Sequence, residues 1–293
     1  MRQTGVRSTL TPVNSTSVFP RASLLPLIMA GALLGIPMLV GIGYLIAGAL
    51  GVVGNAAPGA LGRVLGDAQV WRSALLSLWI AALGTAVSLI GAVSVALLFS
   101  GNERVDRAIR SIAALPLPVP TVAAAVAMLL LLSQSGWLAR VASQLHLIAS
   151  PADFPAIVND PFAIGLITAV VWKEMPFLTL VALSLQSLRG PAFIDAARTL
   201  GASRIQTLRT ITLPLLLRGM APSIIAVFVF VLGSLELALI LAPSAPLALP
   251  LLIQERRTAL DMASHGEAYV IALLATGLAL LAVLLHEWLR EDA

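Results

Sequence analysis

The chain alternates long apolar runs with short polar segments, and this pattern predicts a bundle of membrane-spanning helices. A helix needs roughly 20 apolar residues to cross a hydrocarbon core about 30 Å thick, and most of the runs reach that length. The first run is too long for the apolar part of a signal peptide, so we expect an uncleaved span, kinked near Pro37. The predicted spans are residues 24–50, 71–99, 121–132, 162–188, 220–241 and 269–288.

The polar segments between these spans are predicted to be loops. Pro116, Pro118 and Pro120 do not fit inside a helix, so an extended segment should precede the third span. The chain then divides into a polar, mobile tail (1–23), a first helix with an external loop (24–70) and a transmembrane domain (71–290). The predicted loops are 51–67, 101–110, 140–160, 242–250 (a loop or a re-entrant segment) and 254–267.

The longest polar interruption, residues 191–214, predicts two short helices outside the membrane. Gly201 can adopt the left-handed conformation that ends the first helix. Ser203, with Gln206 three residues later, is typical of a capping box that begins the second. We expect the second helix to end at Leu213–Pro214, because proline disfavours helix at the residue before it.

Composition supports an all-α polytopic membrane protein with about six transmembrane helices. Hydrophobic residues make up 59% of the chain and charged residues 11%, whereas soluble domains contain about 25% charged residues. The loops leave no room for a soluble domain of independent size. Because the chain has no cysteine, disulfides, thiolate metal sites and cysteine nucleophiles are excluded.

The distribution of basic residues predicts the orientation in the membrane. Loops on the cytoplasmic side carry an excess of Lys and Arg. Alternate loops contain twelve and five arginines, so both termini are predicted to be cytoplasmic. The net charge of +4 is therefore read as a topology signal and not as a nucleic-acid signal. The arginine-rich side comprises Arg2, Arg7, Arg21, Arg104, Arg107, Arg110, Arg189, Arg198, Arg204, Arg209, Arg218 and Arg290, and the other side Arg63, Arg72, Arg140, Arg256 and Arg257.

The 190–214 segment resembles the cytoplasmic EAA loop of permease subunits of type I ATP-binding-cassette (ABC) importers. The family pattern is Glu-Ala-Ala, three residues, Gly, nine residues, Ile, one residue, then Leu-Pro, and the only departure is Asp195 in place of Glu. The resemblance implies the type I permease fold and a coupling helix that docks on an ATPase. The alternative from the pattern alone is an amphipathic helix lying on the membrane surface. The matching positions are Asp195, Ala196, Ala197, Gly201, Ile211, Leu213 and Pro214.

Two further segments resemble the branch of this family that carries inorganic ions, thiamine and polyamines. A proline-rich LPLPVP precedes the third span and the turn Gly136–Leu138 follows it. Residues 242–250 resemble the segment after span five in that branch.

The resemblance also implies partners. They are two ATPase subunits that bind ATP–Mg, a second permease that is identical or related, an extracytoplasmic substrate-binding protein and membrane lipid, in a bacterial cytoplasmic (inner) membrane. No nucleic acid is implied. The chain has no Walker-type phosphate loop and no metal-ligand spacing, so ATP hydrolysis is expected in a separate subunit. A secondary transporter, which needs its own midplane ion site and often internal repeats, is the alternative, and an intramembrane enzyme fits less well.

Three ionisable residues fall inside predicted spans, where charge is costly and usually functional: Lys173, Glu174 and Glu236. Adjacent residues project about 100° apart on a helix, so Lys173 and Glu174 should not face each other. The nearby Pro176 predicts a broken span. The lysine and its neighbour either line a pathway or gate or hold helices together. For Glu236, deep in predicted span five, the hypotheses are a pathway group or a subunit-interface group.

Overall fold

A computed structural model describes residues 24–53, 59–99, 103–189, 199 and 201–291, and within them the chain is helical with no β-strand. Six described helices are long and apolar enough to cross a membrane, which confirms the predicted all-α, six-span fold of a multi-pass membrane protein. Short 3₁₀ and π segments cover Pro151–Asp153 and Leu208–Thr212. The α-helices are α1 (Leu24–Ala49), α2 (Ala60–Gly66), α3 (Ala68–Phe99), α4 (Glu103–Ala114), α5 (Thr121–Leu132), α6 (Trp137–Gln144), α7 (Ile164–Arg189), α8 (Arg204–Thr207), α9 (Leu213–Leu232), α10 (Leu235–Leu241), α11 (Leu249–Thr258) and α12 (Met262–Glu291).

The chain separates into two compact units, residues 1–44 and 45–293. Within the first unit, the structure describes residues 24–44, most of α1. The helix continues through Pro37.

The centre of the second unit is the pair α3 and α7, which approach each other at glycines. A Cβ atom at Gly84 would lie 2.7 Å from Cγ1 of Val170, and one at Gly91 would lie 2.7 Å from Sδ of Met175. Glycine leaves room for this approach, as in other membrane helix pairs, and the contact is less adaptable at Gly84, where the neighbour is the short side chain of Val170, than at Gly91, where it is the flexible end of Met175. Helices α5, α9 and α10 complete the core around the pair.

A smaller apolar cluster joins α2, the start of α3, α11 and α12. Leu249 and Leu252 of α11 are fully buried in it, against Val64 of α2 and Ile271 of α12. The backbone N–H of Leu249 donates a buried hydrogen bond of 2.7 Å to Oγ of Ser77. This bond satisfies one of the backbone donors that the first turn of a helix leaves unpaired.

Helix α7 begins where the carboxylate of Asp160 caps its backbone. The two oxygens of this buried side chain accept hydrogen bonds from the backbone N–H groups of Phe162 at 3.0 Å and Ile164 at 2.7 Å. Because the carboxylate holds the preceding turn outside the helix, α7 starts at Ile164 and not at residue 162.

Several predicted loops contain helices, so the loop predictions are wrong in those segments: 51–67 contains α2, 101–110 lies mostly in α4, 140–160 includes part of α6, and 254–267 includes parts of α11 and α12. In α4 the charges that suggested a loop instead stabilise a helix, since Asp106 and Arg110 form an i,i+4 ion pair at 2.9 Å. The other short helices pack on the cores, and packing rather than propensity stabilises helices of this length.

Candidate functional site

In the predicted coupling segment the structure describes residues 199 and 201–214. Gly201 has a φ of 85°, the left-handed conformation predicted from the sequence. Asp195, Ala196 and Ala197 lie outside the described residues. Ser203 caps α8, because its Oγ accepts the backbone N–H of Gln206 at 3.2 Å. Its carbonyl accepts the N–H of Thr207 at 2.9 Å. The predicted start of the second short helix is confirmed.

The predicted stop at Leu213–Pro214 is wrong: helix continues from α8 through the π turn Leu208–Thr212 into α9. The N–H of Leu213 donates to the carbonyl of Leu208, five residues before it. Pro214 has no N–H, and in a regular helix its ring would meet the carbonyl four residues before it. The wider π turn opens the backbone there, so the coupling segment and a membrane helix form one continuous rod.

The side chains of this rod present a mixed surface. Ile205 is 66% exposed and Arg209 is exposed, whereas Thr207 is buried. Ile211 and Leu213 are half-buried. An exposed apolar residue beside an arginine suits contact with another protein, although isolated exposed apolar residues are also ordinary.

Lys173 lies in the middle of α7 and bonds to the proline-rich segment before α5. Its Nζ donates to the carbonyl oxygens of Pro116 and Leu117, both at 3.2 Å, and also to that of Val119. The ammonium group has three donors, and all three are used by these carbonyls. The structure thus brings this predicted site residue to backbone groups of its own chain.

Glu174 is half-buried on α7, and no hydrogen bond reaches its carboxylate from the described part of the chain.

The prediction of a broken span around Pro176 is wrong, because α7 continues through the proline. Packing of α7 along α3 holds the helix together there. Thr179 adds a hydrogen bond of 2.8 Å from its hydroxyl to the carbonyl of Met175.

Glu236 lies outside the long fifth helix, which corrects its predicted position. Helix α9 starts at residue 213 and ends at 232, and Gly233 and Ser234 separate it from the short helix α10. Glu236 occupies the first turn of α10 and is exposed, with Leu237 buried beside it. A small, partly open pocket of about 10 Å³ adjoins the break, lined by Ser77 and Ser234 among others.

The structure adds a charge cluster that the sequence did not indicate. Arg256 bonds to Glu267 and to Asp67, each at 2.9 Å, and Arg63 bonds to Glu267 at 2.7 Å. The cluster joins α2, the start of α3, α11 and α12. Asp67 and Arg256 are 189 residues apart in sequence, and no spacing pattern links positions so far apart. Their opposite charges were the one signal in the sequence that could have drawn attention to them.

Other features of the described residues offer little chemistry. In the described ranges no three His, Asp or Glu side chains group as metal ligands. An open cleft of about 440 Å³ lies between the α5–α6 turn and the loop before α7, lined by Ser133, Gln134, Ser135 and Asn159 among others. What the described arrangement provides is a continuous helix from α8 to α9, a lysine bonded to the proline-rich segment and an exposed carboxylate at Glu236.

A family model described as "Binding-protein-dependent transport system inner membrane component" matches residues 88–292. Among solved structures, one of a bacterial ABC transporter involved in the import of the acidic polysaccharide alginate has a TM-score of 0.69 and 21% identity, covering 92% of this chain and 93% of that chain. A second, of a bacterial alginate ABC transporter in complex with alginate pentasaccharide-bound periplasmic protein, has a TM-score of 0.68 and 20% identity, covering 90% of each. At these identities the likeness concerns the fold. No curated protein matches the chain.

Proposed function

We propose, from the premise that this chain belongs to the family of binding-protein-dependent transport system inner membrane components, that it is the permease subunit of an ATP-driven importer of a small solute. The proposal rests mainly on the continuous rod formed by α8, the π turn and α9. A rod that begins at a capped turn outside the span can transmit a displacement of its outer end directly to the membrane helix. A flexible loop would not transmit the same displacement.

In this proposal the 190–214 segment docks on an ATPase subunit, with Asp195, Ala196 and Ala197 at the contact. Two small residues allow the close approach of a partner. Helix α7 enters the segment and α9 leaves it, so both helices respond to the ATPase. Two ATPases and a second permease, identical or related, complete the transporter, and an extracytoplasmic binding protein delivers the solute. ATP–Mg is bound by the partner subunit.

The proposal places the coupling segment and both termini in the cytoplasm of a bacterial cell and the chain in its inner membrane. The natural absence of cysteine makes the orientation testable in intact cells. A cysteine at the exposed Gln206 should resist a membrane-impermeant thiol reagent, whereas one at the exposed Ala149 should react. The reverse labelling would overturn the orientation, and with it any contact between Asp195 and an ATPase.

A more specific proposal concerns the class of solute that is transported. The proline-rich segment before α5 and the turn at Gly136 favour the branch that carries ions, thiamine and polyamines. The solved structures of similar fold come from alginate importers, at identities too low to transfer a substrate. Mass spectrometry of the solute that copurifies with the assembled complex would decide between a small cation and a saccharide.

The decisive experiment is uptake into proteoliposomes. The complete complex is compared with preparations lacking the ATPase subunits, lacking the binding protein, or supplied with a non-hydrolysable ATP analogue. We expect uptake from the complete preparation only. Uptake by the chain alone, driven by an ion gradient, would instead establish the secondary transporter.

A further inference from the structure

The three N–H donors of the Lys173 ammonium group all bond to carbonyls of one short stretch of backbone, residues 116–119, between α4 and α5. Prolines in this stretch remove N–H groups and prevent helix, so its carbonyls have few helical partners. A buried or half-buried carbonyl without a partner is costly. Lys173 donates to the carbonyls of Leu117 and Val119, and adds a second donor at Pro116, whose carbonyl also accepts the backbone N–H of Val119 at 3.2 Å. These bonds attach the proline-rich segment to α7.

A second bond attaches α4 to the same helix. Nη1 of Arg110 donates to Oγ of Ser184 at 3.3 Å, while its Nε pairs with Asp106 on α4 at 2.9 Å. Ser184 follows Lys173 by eleven residues, which corresponds to about 16 Å along the axis of a helix. The bond from Arg110 and the bonds of Lys173 therefore hold α4 and the segment that follows it at two separate points of α7.

Helix α7 ends at Arg189, where the proposed coupling segment begins. Any displacement of that segment therefore acts first on α7 and α9. On one side of the core, α7 is bonded to α4 and to the segment that leads into α5. The segment ends at Pro120, and α5 starts at the next residue, with no loop to absorb the displacement.

We propose that α4, the proline-rich segment and α7 move as one body and that Lys173 is the positioning residue that passes movement from the coupling segment to the start of α5. This inference rests on the proposed function. It also assigns Lys173 a role other than binding solute, because a solute that hydrogen-bonded to the ammonium would have to displace one of three carbonyls. A gate residue would break its hydrogen bonds to these carbonyls during each transport cycle, whereas a residue that attaches the segment permanently would keep them.

The first test removes the donors and keeps the length. In the assembled complex, Lys173→Met should lower the number of solute molecules imported per ATP hydrolysed about tenfold, equivalent to about 1.4 kcal/mol of coupling. Lys173→Arg, which retains N–H donors, is the matched control and should preserve the ratio. A merely stabilising residue would lower the melting temperature without changing this ratio. An unchanged ratio in Lys173→Met would overturn the proposal.

The second test does not depend on how well Lys173→Met assembles. Cysteines replace Lys173 and Leu117 in the otherwise cysteine-free chain and are joined by a short, cleavable bifunctional thiol reagent. Because the double variant lacks the donors of Lys173, a permanent attachment predicts that joining raises its uptake towards the wild-type level. Uptake that stays at the unjoined level contradicts the proposal. Each single-cysteine variant, treated in the same way, controls for the reagent.

Loss of uptake on joining, reversed by cleavage of the linker, would show that α7 must separate from the proline-rich segment at position 173 and would overturn the proposal. Failure of the proposed function is distinguishable from this result. If the chain is not an ATP-driven permease, the wild-type complex lacks ATP-dependent uptake before any variant is made.

Discussion

Arg256 and Glu267 form an ion pair of 2.9 Å across the turn that joins α11 to α12. The same arginine bonds to Asp67, the residue between α2 and α3, and the side chain of Glu267 is only 12% exposed. One guanidinium group thus holds the α11–α12 hairpin against the second long helix. Its planar fork suits two carboxylates at once.

Replacement of Arg256 should destabilise the protein beyond the usual effect of a surface charge. In Arg256→Leu two partly buried carboxylates lose a partner, and we expect a loss of about 1–3 kcal/mol in unfolding free energy. The neighbouring Arg257 is exposed, and Arg257→Leu should change stability by less than about 0.5 kcal/mol. Unfolding of the purified protein in detergent measures both. Equal effects would show that the cluster adds nothing to stability.

The α3–α7 contact predicts a sharp difference between two glycines. Gly84→Ala places a methyl group 2.7 Å from Cγ1 of Val170, so the Val170 side chain or the helix backbones must shift, at a cost of about 1–3 kcal/mol. Gly277 in α12 has no atom of the described residues within 4 Å of a built Cβ. Gly277→Ala should be neutral or stabilise by up to about 1 kcal/mol through helix propensity. Melting temperatures that rank these variants in the opposite order would contradict the close packing.

The long helices were predictable because a membrane leaves an apolar run almost no other structure. Every backbone N–H and C=O in the hydrocarbon must be paired within the segment, and a helix does this. The second span was predicted at 71–99 and observed at Ala68–Phe99. The conformation of Gly201 followed from a local steric rule in the same way, since glycine readily adopts positive φ.

Features that depend on tertiary contacts were not predictable. Residues 220–241 form an uninterrupted apolar stretch in the sequence, so the break at Gly233–Ser234 was not predicted. Glu236 was for the same reason placed inside the fifth span. Pro176 and Pro214 were expected to interrupt helices, but packing on α3 and a π turn accommodate them. The partners of Lys173 lie 54–57 residues away and are backbone atoms, which no side-chain pattern reveals.

Gly201 offers a test of the coupling segment that separates conformation from bulk. Within the described residues no atom lies within 4 Å of a Cβ built there, and the φ of 85° is the only barrier to a side chain. Asparagine tolerates this conformation and a β-branched residue does not. We expect Gly201→Val to lose substrate-stimulated ATPase activity in the reconstituted complex and Gly201→Asn to keep most of it. Undiminished stimulation in Gly201→Val would remove Gly201 from the coupling segment.

Glu236 leads to a prediction with two distinguishable outcomes. Its side chain is exposed in the single chain, at the first turn of α10 beyond the break. An acidic residue facing lipid at the bilayer centre costs about 2.5–3.5 kcal/mol, so we expect either an aqueous pathway or the second permease beside it. In the first case Glu236→Gln reduces uptake of a cationic solute while the complex assembles normally.

If the second permease covers Glu236, the same substitution loosens the pair of permeases and lowers the melting temperature of the complex. Uptake and thermal melting, measured on one preparation, separate the two outcomes. The exposed Glu255 of α11 provides the control, since Glu255→Gln makes the same change of charge outside the proposed pathway. If Glu236→Gln matches the wild type in both measurements, Glu236 lies neither in the pathway nor at the interface, and the break before α10 then serves the fold alone.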